Sequence, residues 1–115
     1  MDFVDINLAK KLKEKGFREK VNAYYGKYEN IFEVHPSLDM NDCDYRCSAP
    51  TISQVLKWLR NEKNIHIVIP ASYNEGYWWE VRDFNREVPE YGDNEFNSYE
   101  QAAIAGIEYV IDNLI

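Results

Sequence analysis

The C-terminal stretch, residues 97–115, constrains the fold most, because its apolar residues recur at the spacing of an amphipathic helix. These residues are Ala103, Ile104, Ile107, Val110, Ile111 and Leu114. Ser98 with Gln101, or Asn97 with Glu100, would form a capping box at its start. One broad apolar face must be buried against another layer of structure, so the sequence predicts a packing helix without chemistry of its own.

A first helix is predicted near the N-terminus. Asp5 is a candidate N-cap, and Gly16 supplies the C-terminal stop. If Gly16 adopts the left-handed conformation, Phe17 is placed to pack back onto Leu12 in a Schellman motif. The capping residues and the apolar pattern therefore indicate the same helix.

A second helix is predicted in the middle of the chain, where the apolar repeat consists of Ile52, Val55, Leu56 and Leu59. Pro50 is acceptable in a first turn, and Ser48 or Ala49 is a candidate cap. The second helix therefore starts close to residue 50.

Alternation of apolar and polar residues predicts two β-hairpins. The first spans residues 20–34 and turns at Gly26-Lys27, either in a two-residue type II′ turn or in a longer loop around Gly26. The second joins a strand at residues 65–70 to a strand at 77–82. On the returning strand, Tyr77, Trp79 and Val81 share one face, and Trp78, Glu80 and Arg82 share the other.

The element order is therefore helix, hairpin, helix, hairpin, helix. We predict one α+β domain over residues 1–115, with a single four-stranded, mainly antiparallel sheet and three helices packed on it like a sandwich. A chain of 115 residues is long enough to bury one core without a metal or a disulfide.

Composition excludes several function classes. The formal net charge of −7 disfavours direct nucleic-acid binding, because phosphate backbones select basic surfaces. No apolar run approaches the length of a membrane span, and the N-terminus does not resemble a signal peptide. We therefore expect a cytoplasmic protein of a bacterial host, without a membrane partner.

Two cysteines, Cys43 and Cys47, lie in the segment 34–48, which is predicted to be a connecting loop. Their spacing matches neither a zinc knuckle nor a redox motif, so we interpret them as free thiols. A metal site would need His35 and one of Asp39 or Asp42 as further ligands. We predict no metal and no cofactor.

A resemblance covers residues 49–115. It rests on Ala49-Pro50-Thr51, Gln54, Lys57-Trp58-Leu59-Arg60, Ile65-His66-Ile67, the strand Tyr77-Trp78-Trp79-Glu80-Val81, Ser98-Tyr99-Glu100, Ala102-Ala103 and Gly106-Ile107. These residues resemble a family of small uncharacterised bacterial and prophage proteins similar to the phage ABA-sandwich domain proteins. The resemblance implies a sandwich of helices around a sheet and a phage or mobile-element origin, and it implies no catalytic residues.

The favoured function is a non-catalytic accessory or protein-interaction module that binds an unknown protein partner. Trp, Tyr and Arg dominate interface energies, so Trp78, Tyr73 and Tyr77 with Arg82 form the predicted cluster. Trp78 could instead belong to the core. The chain is expected to be a monomer or a homodimer paired through strand edges.

The alternative function is a small ligand-binding or metal-binding domain, or an enzyme, that uses His66 and Glu80. The two side chains would face each other across the second hairpin, where a histidine–carboxylate pair can act as a general base or hold a metal. Such pairs on sheets are more often ordinary cross-strand contacts, and the sequence offers no nucleophile beside them. We therefore predict that the protein is not an enzyme.

Overall fold

The computed structural model describes residues 2–72, 76–85, 89–92 and 95–115. The chain forms two compact units, Met1–Gln54 and Val55–Ile115. Among the described residues, no helix combines the length and the apolar character that a membrane crossing requires.

The first unit holds one helix and one antiparallel sheet. Its elements are α1 (Ile6–Glu14), β1 (Val21–Tyr25), β2 (Ile31–Leu38) and β3 (Cys47–Ser48). The strand order is β2-β1-β3, so β1 is central and β2 is an edge strand. A second helix, α2 (Ile52–Lys63), begins in this unit and continues into the next.

Both ends of α1 confirm the sequence prediction. The Asp5 carboxylate accepts a hydrogen bond from the Leu8 backbone N–H at 2.8 Å. Gly16 has a φ of 88°, and the Phe17 N–H donates to the Leu12 carbonyl at 3.0 Å, which completes the Schellman motif. Phe17 is fully buried, so the motif also anchors the apolar core of this unit.

The first hairpin differs from the prediction in its turn and in its second strand. The turn is the longer loop, closed by the Gly26 N–H donating to the Asn30 carbonyl at 2.9 Å, and the two-residue turn is wrong. β2 continues through Pro36, where a loop was predicted. Pro36 lies where the register shifts between the Ala23–Glu33 and Val21–Leu38 pairs, and such irregular edge positions tolerate a residue without an N–H.

The cap of α2 also differs from the prediction. The Gln54 N–H donates to Thr51 Oγ1 at 3.2 Å, and the Thr51 N–H donates to Gln54 Oε1 at 2.8 Å. Thr51 therefore caps the helix through a capping box, in place of Ser48 or Ala49.

The second unit holds the rest of α2, a second antiparallel sheet and the C-terminal helix. Its elements are β4 (Ile65–Val68), β5 (Glu80–Asp83), β6 (Glu90–Tyr91) and α3 (Tyr99–Asn113), and the strand order is β4-β5-β6. Ser98 caps α3 by accepting from the Gln101 N–H, so the first of the two predicted capping boxes provides the N-cap.

The α+β class is correct, but the single four-stranded sheet is wrong. In the described part of the chain, each predicted hairpin forms its own three-stranded sheet. The third strands, β3 and β6, are two residues long and come from segments predicted as loops. In each hairpin one strand pairs with a further short strand: β1 pairs with β3, and β5 pairs with β6. Two separate sheets result.

Candidate interaction surface

The inner face of the second sheet packs against α3. A Cβ placed on Gly106 would lie 3.0 Å from Ile67 Cγ2 and 3.1 Å from Trp79 Cβ, so the helix and the sheet approach closely here. Tyr109 stacks on the Trp79 ring with 4.8 Å between centroids. The absence of a side chain at Gly106 permits this close approach, and this face of the sheet belongs to the core.

The opposite face of the same sheet is defined by its register. Val68 pairs with Glu80, which pairs with Tyr91, and His66 pairs with Arg82. Directly paired residues of antiparallel strands point to the same side of a sheet. We call this side, with two adjoining aromatic residues, the aromatic face; it consists of His66, Val68, Trp78, Glu80, Arg82, Phe84 and Tyr91.

The aromatic face is substantially open to solvent. Phe84 is 62% exposed, Tyr91 is 55% exposed and Val68 is 44% exposed. The Arg82 side chain is 59% exposed, whereas that of Glu80 is only 12% exposed. This face therefore exposes three large apolar side chains and a guanidinium, and the guanidinium is paired with a shielded carboxylate.

Two ring contacts organise this face. The ring centroids of Trp78 and Tyr91 lie 5.7 Å apart. Trp78 is half-buried, so it is neither a fully exposed residue nor a core residue. The ring of His66 meets the edge of Phe84 at 4.8 Å. Such pairs hold exposed aromatic residues in defined orientations before any partner binds.

The predicted pairing of His66 with Glu80 is not formed. Both lie on the aromatic face, as predicted, but the direct cross-strand partner of His66 is Arg82. Arg82 donates to the Glu80 carboxylate at 3.1 Å, and within the described residues His66 makes no ion pair with Glu80. The polar contact on this face is therefore an ion pair between Arg82 and Glu80, two residues apart on β5.

Of the other two predicted aromatic residues, only Tyr77 lies in the described part of the chain. Tyr77 lies beside the start of α3, with its ring 6.4 Å from that of Tyr99, and its backbone pairs with Phe96. Tyr73 lies outside the described residues. Of the predicted cluster, Trp78 and Arg82 are the members that the described residues place on the aromatic face.

Sequence reasoning missed Val68, Phe84 and Tyr91. Val68 was included in a strand, and its exposure follows from its edge position in the sheet. Phe84 comes directly after β5, and its alternation with Arg82 was the available signal. Tyr91 lies in a two-residue strand, which is too short to show any periodicity.

The cysteine segment contributes no metal site in the described part of the chain. Cys43 and Cys47 are free thiols, as predicted, and Cys47 is buried. Burial raises the pKa of the Cys47 thiol, although the charges of Lys13 and Lys10 act in the opposite direction. Among the described residues, no group of three or more His, Cys, Asp and Glu side chains could hold a metal ion.

Compared with known protein families, curated proteins and solved structures, the chain shows no match. The resemblance to the phage ABA-sandwich domain proteins therefore stays a prediction, and the function must be argued from the surface itself.

Proposed function

We propose that the chain is a non-catalytic interaction module that binds a partner protein through the aromatic face. The observation that supports the proposal is that three exposed apolar side chains, Val68, Phe84 and Tyr91, lie on the same face of the sheet as the exposed Arg82. Contiguous apolar patches of this kind on a small protein mark interaction sites. Aromatic residues and arginine are also the side chains that contribute most to interface energies.

The chemistry of the face defines the partner. An apolar surface is needed to cover Phe84 and Tyr91, and a hydrogen-bond acceptor is needed opposite Arg82, whose guanidinium carries more donors than Glu80 uses. Because this chain has a net charge of −7, long-range attraction favours a partner with a net positive charge. The proposed partner is therefore a basic protein with an apolar docking patch.

A phage or mobile-element setting is part of this proposal. The residues that carry the resemblance to prophage proteins include His66, Trp78 and Glu80 of the aromatic face. An accessory role, in which the chain occupies a surface of a host or phage protein, requires no catalytic residues.

The test is affinity capture from cells that carry the gene, with variants at exposed positions that do not support the core. Phe84→Asp and Tyr91→Lys place a charge on the aromatic face, because both side chains are more than half exposed. Tyr28→Asp is the matched control, since Tyr28 is 82% exposed and lies in the first unit. Circular dichroism verifies that all three variants are folded.

We expect a partner that is captured by the wild type and by Tyr28→Asp and that is lost with both aromatic-face variants. Retention of every wild-type partner by folded Phe84→Asp and Tyr91→Lys would contradict the proposal.

A further inference from the structure

The first unit contains a pocket of about 460 Å³ that the proposed function does not use. It lies between α1, the turn after β1 and the segment that leads into β3. Its lining includes Lys10, Lys13, Lys27, Tyr25, Tyr45 and Arg46. The volume falls within the range typical of small-molecule sites.

Lys13 lines the pocket, and its ammonium is bound by two backbone carbonyls. Its ammonium donates to the Cys43 carbonyl at 2.5 Å and to the Arg46 carbonyl at 2.7 Å, and it is partly buried. Among the described residues, no carboxylate forms an ion pair with Lys13. An ammonium has three N–H donors, so one remains for a ligand.

Three further cations line the same pocket, namely Lys10, Lys27 and Arg46, of which Arg46 pairs with Asp42. Lys10 pairs with Glu29 at 3.0 Å, but both side chains are 57% exposed, and such surface pairs contribute little and rearrange readily. Lys27 is exposed and lies over the ring of Tyr28. The lining also holds the carboxylates of Glu14, Glu29 and Asp44, so the cations exceed the anions by one in a chain whose net charge is −7.

The pocket also offers an aromatic platform and hydrogen-bond acceptors. Tyr45 is 65% exposed, and the Arg46 guanidinium lies 5.9 Å from its ring centroid. Planar heterocycles stack on such rings regardless of the identity of the base. The carboxylates of Glu29 and Asp44 line the same space and can accept from hydroxyl groups.

We propose that this pocket binds a nucleoside phosphate, with the phosphate on Lys13, Lys10 and Lys27, the base on Tyr45 and the sugar hydroxyls near Glu29 or Asp44. Inorganic phosphate fills only the cationic part of the pocket. A nucleoside without phosphate leaves the Lys13 charge unmatched. Both parts are therefore needed for full affinity.

The test is isothermal titration of the full chain with AMP, GMP, CMP and UMP, and with adenosine and inorganic phosphate as the separate parts. We expect at least one nucleotide to bind, with a Kd about tenfold lower than that of adenosine or of inorganic phosphate, because only the nucleotide contacts both parts of the pocket. A tenfold change in Kd corresponds to about 1.4 kcal/mol.

Lys27→Met and Tyr45→Ala alter exposed lining residues that hold no part of the core, and each is expected to weaken nucleotide binding about five- to tenfold, in line with the energy of one stacked base or one charge contact. Lys13→Met should weaken it most, but Lys13 also holds the loop, so the two exposed variants decide the result if that variant unfolds. Lys20→Met is the matched control, because Lys20 is exposed and does not line the pocket.

Three results would overturn the proposal: no heat with any of the four nucleotides, equal affinity for inorganic phosphate and for the nucleotides, or equal weakening by Lys20→Met and Lys27→Met. None of these results bears on the aromatic face, which lies in the second unit.

Discussion

Asn41 is a buried polar residue whose side chain satisfies backbone groups in two separate segments. Its Nδ2 donates to the Phe17 carbonyl at 2.7 Å, and its Oδ1 accepts from the Ser48 N–H at 2.8 Å. The Ser48 hydroxyl in turn accepts from the Met40 N–H at 3.1 Å. This network joins the end of the α1 Schellman motif to β3, so one side chain fixes the segment that forms one wall of the pocket.

Replacement of Asn41 by Leu is expected to lower the free energy of unfolding by about 2–6 kcal/mol, because the Phe17 carbonyl and the Ser48 N–H each lose the hydrogen bond to Asn41, at about 1–3 kcal/mol each. Urea denaturation measures the loss. Asn61→Ala is the control, since Asn61 is an exposed residue of α2 and should change stability by only a few tenths of a kcal/mol. Equal stability of Asn41→Leu and the wild type would show that the network contributes nothing.

The Cys47 thiol is expected to make the free energy of unfolding depend on pH in the alkaline range. Burial raises the pKa of its thiol, so the folded state holds the proton more tightly than the unfolded state does. The stabilising contribution is complete below the ordinary thiol pKa of about 8.5 and is lost as pH rises through the higher folded-state pKa.

We therefore expect the free energy of unfolding to fall between pH 8 and pH 10 in the wild type, and to fall less in Cys47→Ala. Urea titrations at several pH values provide the measurement. Cys43→Ala keeps Cys47 in place and should retain the wild-type decline. A decline of the same size in Cys47→Ala would assign the pH dependence to other groups.

Among the secondary-structure elements, α1 ends at a glycine that is needed for its backbone conformation and not for its small size. Gly16 has a φ of 88°, and a Cβ at this position would meet no atom within 4 Å. Gly16→Ala is thus expected to lower stability by about 1 kcal/mol through left-handed backbone strain, without a steric clash. Gly16→Asn should cost less, because Asn tolerates this region better. Thermal unfolding of the pair is the measurement, and an equal cost for both would contradict the assignment.

The elements that were predicted correctly carry local signals. α1 has Asp5 and Gly16 at its ends, and α3 has Ser98, so the caps and the apolar repeat could both be read from the sequence. β3 and β6 could not be predicted, because a two-residue strand has no period and exists only through pairing with distant residues.

The same limit applies to the surface. Alternation correctly placed Trp78, Glu80 and Arg82 on one side of a strand. The register that sets Tyr91 beside Glu80, and His66 opposite Arg82, depends on which strands meet. The division into two sheets follows from those non-local pairings, and no local pattern reveals it.

For the whole molecule, the sheet edges favour a monomer. β3 and β6 are two residues long, β4 is four residues long, and the long edge strand β2 contains Pro36, which lacks a backbone N–H. Short edge strands and edge prolines oppose pairing between copies. We expect sedimentation velocity to give the mass of one 13.6 kDa chain, and a stable dimer at micromolar concentration would contradict this expectation.

The aromatic face of the second unit is the proposed binding surface for the partner protein. The most direct measurement is photo-crosslinking in cells that carry the gene, with benzoylphenylalanine at position 84, 91 or 28. All three native side chains are exposed and aromatic. We expect positions 84 and 91 to crosslink to the same second protein, and position 28 to give no crosslink to it. An adduct formed only from position 28, or none from 84 and 91, would contradict the claim.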